Sequence, residues 1–261
     1  MIKALHTSAS GMQAQQANMD VVSNNIANVS TTGFKKSRAE FEDLLYQTIK
    51  EPGSQTGANS ISPTGVQTGL GVRTAAITKD FEVGAANITK NALDLQIEGN
   101  GFFPVQTPGG QIAYTRDGSF KKDPTGRIVD KNGNILQPEI VIPTGTTGID
   151  IAANGTVTVI AADNPQQQVL GQVQLVSFIN PSGLKSLGKN LYMPSNASGV
   201  PIQGVPGETG LGEIAQGQLE ASNVNIVEEM VNMITAQRAY ETNSKTMQAV
   251  DQMLQTVNNL R

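Results

Sequence analysis

One histidine, His6, and no cysteine leave this sequence few routes to chemistry. A metal centre needs several His, Cys or carboxylate ligands at recognisable spacing. His6 stands alone beside Leu5, at the start of a helical pattern, and reads as a surface residue. Carboxylates in the middle of the chain, Asp94, Glu98, Asp117, Asp123 and Asp130, could in principle supply the acid pair of a glycosidase. Yet Asp117 precedes Gly118, and Asp123 opens Asp123-Pro124-Thr125-Gly126, positions where turns use Asp for local hydrogen bonding. Asp94 alternates with Leu93 and Leu95 as a solvent-facing strand residue would. Gly99-Asn100-Gly101 leads into an apolar strand rather than a helix N-terminus, and no lysine completes a phosphate loop. With no Trp and 4% aromatic residues, the flat faces that hold sugars are scarce. The sequence therefore predicts no catalytic residue, no cofactor and no metal, and places the protein's work in its surfaces.

Composition narrows the partners. At 261 residues the chain is long enough for two or three domains. Counting glycine as apolar and leaving out tyrosine raises the 38% hydrophobic fraction to about 47%, the ordinary range for a folded chain. A net charge of −4, with only 18 Lys and Arg, gives no basic stripe for nucleic acid. No stretch approaches the ~20 apolar residues of a membrane span, so no membrane insertion is expected. After Lys3 the chain runs through Ser8, Ser10, Gln13, Gln15 and Gln16, so a secretory signal's apolar region is missing. Export, if it occurs, is expected to use another route.

Gly and Pro divide the chain into parts. All 12 Pro lie between Pro52 and Pro206, and 25 of the 27 Gly lie between Gly53 and Gly217. Both residues oppose helix interiors, so long helices are confined to the two ends. The first helix is expected over residues 2–29, closing at Ser30-Thr31-Thr32-Gly33 with Gly33 taking the left-handed turn. A shorter helical stretch through Phe41, Leu44, Leu45 and Ile49 follows. The last helix is expected to start near Ser222 or Asn223 as cap, with Glu228 and Glu229 favourably placed against its dipole. Residues 51–75 carry two Pro and five Gly amid Ser, Thr and Gln. They read either as a flexible linker or as an extended segment that orders against neighbouring subunits. From about 76 to 217, turn signals such as Asp117-Gly118, Asn132-Gly133 and Asn154-Gly155 separate short apolar or alternating runs, which predicts antiparallel hairpins.

The helices carry narrow apolar ladders in seven-residue steps. At the N-terminus they are Leu5, Met12, Met19 and Ile26, flanked by Ala9, Val22 and Val29. At the C-terminus they are Ile226, Met233, Tyr240, Met247 and Leu254, flanked by Ala236, Val250 and Val257. An amphipathic helix packed on its own domain is the simpler explanation. The seams, however, are narrow, the other faces are crowded with Gln, Asn, Ser and Thr, and the β region lies beyond a Gly/Pro-rich segment. The fold expected is α+β and multi-domain: terminal helices paired in a coiled-coil-like domain, with a central antiparallel all-β domain inserted between them. Boundaries are expected at 1–50, 51–75, 76–217 and 218–261. Two helices leave apolar strips at their flanks, and repeating that contact between copies gives a non-closing interface that grows into a filament. Met12, Met19, Met230, Met233, Met247 and Met253 can adapt to several such environments.

The run Ser23-Asn24-Asn25-Ile26-Ala27-Asn28-Val29-Ser30-Thr31-Thr32-Gly33-Phe34-Lys35 resembles the N-terminal signature of bacterial flagellar rod and hook proteins. Leu219-Glu220-Ala221-Ser222-Asn223-Val224, Glu229-Met230-Val231 and Gln237-Arg238-Ala239-Tyr240-Glu241 resemble the C-terminal signature of that axial family. Gly99-Asn100-Gly101-Phe102-Phe103 and Tyr114-Thr115-Arg116-Asp117-Gly118-Ser119-Phe120 are similar to its central β segments. The resemblance covers essentially the whole chain. Its length, and the segment after Tyr46, are most like the distal rod member. It implies a non-enzymatic subunit of the periplasmic basal-body rod, polymerising with itself into a drive shaft that passes motor torque to the hook. The partners it implies are proximal rod and hook proteins, the surrounding ring proteins and the flagellar type III export apparatus, without a cleaved signal peptide. Asn24, Asn25, Ala27, Asn28, Thr32, Gly33 and Phe34 carry the signature. The amides and hydroxyl are expected to satisfy backbone groups at the helix end, and Phe34 to anchor the chain that follows. The alternatives are another axial component, hook or proximal rod, or a secreted β-domain adhesin or glycan-active enzyme trimerised by its helices.

Overall fold

The computed structural model describes every residue except 1, 54, 58–59, 62, 162–163, 209 and 260–261. It is an α+β chain of two compact units, one built from residues 1–26, 37–78 and 225–261 and the other from 27–36 and 79–224.

The first unit holds two long helices, α1 (Ile2–Ala27) and α2 (Ile226–Asn259). Neither has an internal Pro, and Gly11 is their one glycine. Asn25 Nδ2 donates to Glu229 Oε2 at 3.3 Å, and Gly11 lies against the side-chain amide of Asn243. One pair near each end of the contact sets the helices antiparallel. The cap of α2 differs from expectation. Asn225 Oδ1 accepts from Val227 N at 3.1 Å, and Asn223 is engaged elsewhere, accepting from Lys36 N at 2.7 Å.

Between the helices the chain folds back on itself. Strands β1 (Ser37–Asp43), β2 (Tyr46–Lys50), β3 (Gln55–Gly57), β4 (Ser60–Ile61), β5 (Val66–Gly69) and β6 (Val72–Lys79) pair in nested order, β1 with β6, β2 with β5 and β3 with β4. The stretch from Phe41 to Ile49 is thus the end of β1 and most of β2, joined through Leu44-Leu45, and not the expected helix. Its helical spacing is overridden by cross-strand partners some thirty residues away, as when Thr78 Oγ1 donates to Glu40 at 2.9 Å, Arg73 pairs with Glu42, and Leu44 N donates to Gly71 O. Residues 54, 58, 59 and 62 of the 51–75 segment lie outside the described residues, as does the side chain of Val257.

The second unit is the β domain. Its strands are β7 (Ala86–Ile88), β8 (Leu95–Glu98), β9 (Phe103–Gln106), β10 (Ile112–Thr115), β11 (Phe120–Lys122), β12 (Ile128–Asp130) and β13 (Ile135–Leu136). There follow β14 (Thr146–Ile151), β15 (Thr156–Ala161), β16 (Asn164–Gln172), β17 (Leu175–Ser177), β18 (Lys185–Gly188), β19 (Leu191–Met193), β20 (Ile202–Gly204), β21 (Glu213–Gln216) and β22 (Gln218–Glu220). The largest sheet runs β11-β12-β13-β9-β10-β19-β18, and a meander joins β14, β15 and β16. Every register resolved here is antiparallel. Two further pairs, β8 with β21 and β7 with β22, bring the last strands of the domain back onto its first.

Neighbouring Phe102 and Phe103 feed two separate cores, as side chains on opposite faces of an extended chain must. Phe103 packs with Leu95, Val105, Phe120, Leu136 and Val157, its ring 5.2 Å from that of Phe120 and edge-on. Phe102 joins Tyr114, Val176, Phe178 and Tyr192. Asp94 departs from its expected strand role. It is buried just before β8, accepting from Thr89 Oγ1 at 2.6 Å and Asn91 Nδ2 at 2.9 Å, because these local donors satisfy the carboxylate without solvent.

Candidate functional site

The signature loop after α1 is fixed by residues far along the chain. Gly33 adopts φ +66°, and a Cβ there would stand 2.7 Å from Asp117 N and 2.8 Å from the carbonyl carbon of Arg116. Gly33 is thus required twice, for its left-handed backbone and for the approach of another backbone. Its N–H donates to Glu220 O at 2.8 Å, and Thr32 Oγ1 donates to Asp117 Oδ1 at 3.1 Å. Next to them Phe34 is buried beneath the Lys79 ammonium, 5.1 Å from its ring centre.

Lys35 is sealed from solvent. Its Nζ donates to Glu220 Oε1 at 2.6 Å and to Glu82 O at 2.5 Å. Glu220, equally buried, also accepts from Gly84 N at 2.9 Å and has Arg116 Nη1 3.7 Å from its other oxygen. Arg116 donates to Gly99 O at 2.7 Å and stacks its guanidinium 5.5 Å from the Phe102 ring centre. Burial pushes the Lys35 ammonium below its ordinary value, Glu220 opposing that shift. Burial also pushes the Tyr192 hydroxyl up to about 12. Asp117 has burial raising its carboxyl, but hydrogen bonds from Lys131 at 2.6 Å and from Ser119 Oγ at 2.7 Å together hold it below the carboxylate range. Lys35, Glu220, Arg116 and Asp117 each have at least one fixed hydrogen-bond partner, although Arg116 Nε and Nη1 and Glu220 Oε2 make no hydrogen bond among the described residues, and the cluster joins segments far apart in the chain.

The remaining signature residues serve α1. Asn25, 1% exposed, grips the backbone of Ser37 with both ends of its amide, accepting from Ser37 N at 2.9 Å and donating to Ser37 O at 2.8 Å. Thr31 Oγ1 donates to Asn28 Oδ1 at 3.2 Å, while Asn24 and Ala27 are exposed.

The two ladders are not the residues most deeply buried between the helices. Leu5, Met12, Met19, Ile26, Met233, Met247 and Leu254 are half-buried, Ile226 and Tyr240 are exposed, and only Val22 and Val250 are buried. The buried positions of α2 are Glu229, Ala236 and Val250, with half-buried Asn243 completing a heptad three residues out of step with the expected one. On α1, Ser8, Ala14, Val21, Val22 and Asn25 are buried. Reading only large apolar residues missed this seam, since small and polar side chains line much of it. Val227, Met230, Val231 and Ile234 add to the exposed apolar surface of α2, all about half exposed or more.

Three family descriptions match the chain: flagella basal body rod protein over residues 5–35, the D1 domain of flagellar hook protein FlgE/F/G over 96–159, and flagellar basal body rod FlgEFG protein C-terminal over 215–260. The chain is 50% identical to the flagellar basal-body rod protein FlgG of Buchnera aphidicola, over the full length of both. The chain belongs to the flagellar basal-body rod protein family. It is also 48% identical to the rod protein FlgG of Caulobacter vibrioides over the full length of both. To the flagellar hook protein FlgE of Salmonella typhimurium it is 26% identical, across 97% of this chain and 98% of that protein. As a rod protein it is a structural subunit of the basal body. The three matched segments contribute, in turn, Lys35, Arg116 and Glu220, so the buried ion cluster is where all three meet.

Proposed function

We propose that this rod protein builds the distal rod, the drive shaft that transmits motor torque to the hook, by polymerising helically through its terminal helices. The observation that carries the reading is the large apolar surface left on α2, where Ile226, Val227, Met230, Val231 and Ile234 are each 46–71% exposed in the isolated chain. Contiguous apolar surface on that scale favours burial against another chain. The antiparallel pair forms a coiled-coil-like terminal domain from residues 1–50 and 218–261, and its uncovered flanks meet those of other copies in a contact that does not close. Leu5, Met12, Met19 and Ile26 face that assembly from α1, and Ile226, Met233, Tyr240, Met247 and Leu254 from α2, with buried Val22 and Val250 supporting them from within the chain. Residues 76–217 form an outer layer.

The ribbon that includes residues 51–75 supports the distal assignment. A two-stranded ribbon is marginal alone in water, and this one exposes Leu45 at 84%, Ile49 at 67% and Tyr46 at 56%. It gains stability by lying on neighbouring subunits, stiffening the shaft. The nearly twofold higher identity to basal-body rod relatives than to the hook relative also favours rod over hook. The rod protein reaches the periplasm through the flagellar type III apparatus without a cleaved signal, meets proximal rod and hook proteins at its ends and ring proteins around it, and works without chemistry. Deleting residues 51–75 tests the assignment. Assembled material that loses straightness or stiffness supports it, and material that keeps its length, straightness and stiffness sinks it.

A further inference from the structure

The seven-residue repeat that pairs the two helices also makes their pairing ambiguous, because sliding one helix past the other by seven residues returns seam positions to seam positions. We propose that Asn25 and Glu229 resolve this ambiguity inside the helix pair, adding to the bonds that join residues 33–36 to 220–223 just outside it and fixing the register of α1 on α2 against a slide in one direction. The proposal rests on the paired-helix reading above.

Asn25 and Glu229 are 1% and 7% exposed, so neither can turn to water for its hydrogen bonds. Asn25 Nδ2 reaches Glu229 Oε2 at 3.3 Å. The same amide is clamped to the backbone of Ser37 at both ends, so the donor offered to Glu229 is aimed and cannot follow a sliding partner. The native register sets Gly11 against Asn243 and Asn25 against Glu229. A slide of seven residues one way sets Asn25 opposite Ala236 and Gly11 opposite Val250, and carries Glu229 past Ala27, the last residue of α1. Both polar groups then lose their partner, and a lost hydrogen bond to a charged group is the costly kind. The opposite slide sets Gly11 opposite Ala236 and Glu229 opposite Asn18, a half-buried residue whose amide can take the place of Asn25. The pair therefore discriminates most strongly against the first slide. A buried polar residue in a helix seam is a known way to specify register at some cost in stability. Glu229 also sits in the first turn of α2, where the dipole favours its charge, so the device is least costly at that position.

The absence of cysteine makes the test direct. In the full chain, Gly11→Cys with Asn243→Cys reports the native register. Gly11→Cys with Val250→Cys reports the first slide, and Gly11→Cys with Ala236→Cys the opposite one. Successive target sites are about 10 Å apart along the helix, too far for one disulfide geometry to serve two of them. In dilute monomer the parent forms the 11/243 bridge within one chain. Adding Glu229→Ala, which leaves the Ser37 clamp intact and removes the partner of Asn25 without adding a large apolar side chain that only the native register would bury, raises the 11/250 product about tenfold, while helicity by circular dichroism holds or rises. The 11/236 product stays near its parent level, because the substitution takes a partner from the native register and from the opposite slide alike. Glu229→Gln, whose carbonyl can still accept from Asn25, behaves as the parent. The proposal is overturned if Glu229→Ala leaves 11/250 at its parent level, if 11/236 rises as much, or if Glu229→Gln loses fidelity as Glu229→Ala does. A parent that forms none of the bridges overturns it together with the paired-helix reading, whereas a parent that forms 11/243 and 11/250 equally overturns the register inference alone.

Discussion

Lys35 Nζ and Glu220 Oε1 lie 2.6 Å apart, across 185 residues of chain, with both side chains sealed from solvent. One belongs to the loop that follows α1 and the other to the last strand before α2. Breaking a buried pair from one side strands the other charge, which costs about 3–5 kcal/mol. Glu220→Gln should therefore lower the unfolding free energy of the β domain, taken from its urea midpoint and slope, by that order, and Lys35→Met on the same background should recover part of it. An unchanged midpoint in Glu220→Gln would show the pair to be incidental.

Gly33→Ala meets two obstacles at once, a left-handed backbone and the backbone of residues 116–117 within 3 Å of the new methyl group. Gly110 has φ +79° but nothing within 4 Å of a Cβ, so Gly110→Ala carries only the conformational cost, about 1 kcal/mol. Thermal unfolding should place Gly33→Ala well below Gly110→Ala. Equal midpoints would mean that residues 116–117 can yield.

Asp117 sets a dependence on acid. Its carboxyl is held below the ordinary 3.8 in the folded chain, so its contribution is fully present above that value and is lost as pH falls through the lower folded one. Stability measured between about pH 5 and pH 2 should fall more steeply in the parent than in Asp117→Asn, whose side chain carries no titrating proton. Parallel profiles would show that Asp117 does not contribute to the acid dependence.

The terminal helices should be the protease-sensitive part of the free monomer, because α2 keeps one face of apolar residues without cover. Limited proteolysis should cut within α1 and α2 in dilute solution and spare them after assembly. Full protection of both ends in dilute monomer would argue for a self-contained helical domain.

Much of this architecture was legible in the sequence, where a physical rule had one outcome. The exclusion of Pro and Gly from the ends located both long helices, and Gly33 declared the turn that closes the first. Local pattern failed where distant partners decide. Phe41, Leu44, Leu45 and Ile49 have helical spacing, yet β6 and β5 recruit that stretch into a ribbon. The buried positions of α2 fall three residues from the ladder of Ile226 and Met233, and Glu229 and Asn243 among them carry no hydrophobic signal. Lys35, Arg116 and Glu220 each lay inside a quoted signature segment, but nothing in local sequence says that three charges so far apart share one buried site.

On the reading proposed above, α1 and α2 together make an assembly surface that never closes. Electron microscopy of the purified chain at raised concentration, beside an Ile226→Ser/Met233→Ser/Tyr240→Ser variant of unchanged monomer stability, tests it most directly. Open-ended tubes whose length grows with concentration are expected for the parent and none for the variant. Closed particles of one fixed size from the parent, or equal tubes from both, would contradict it.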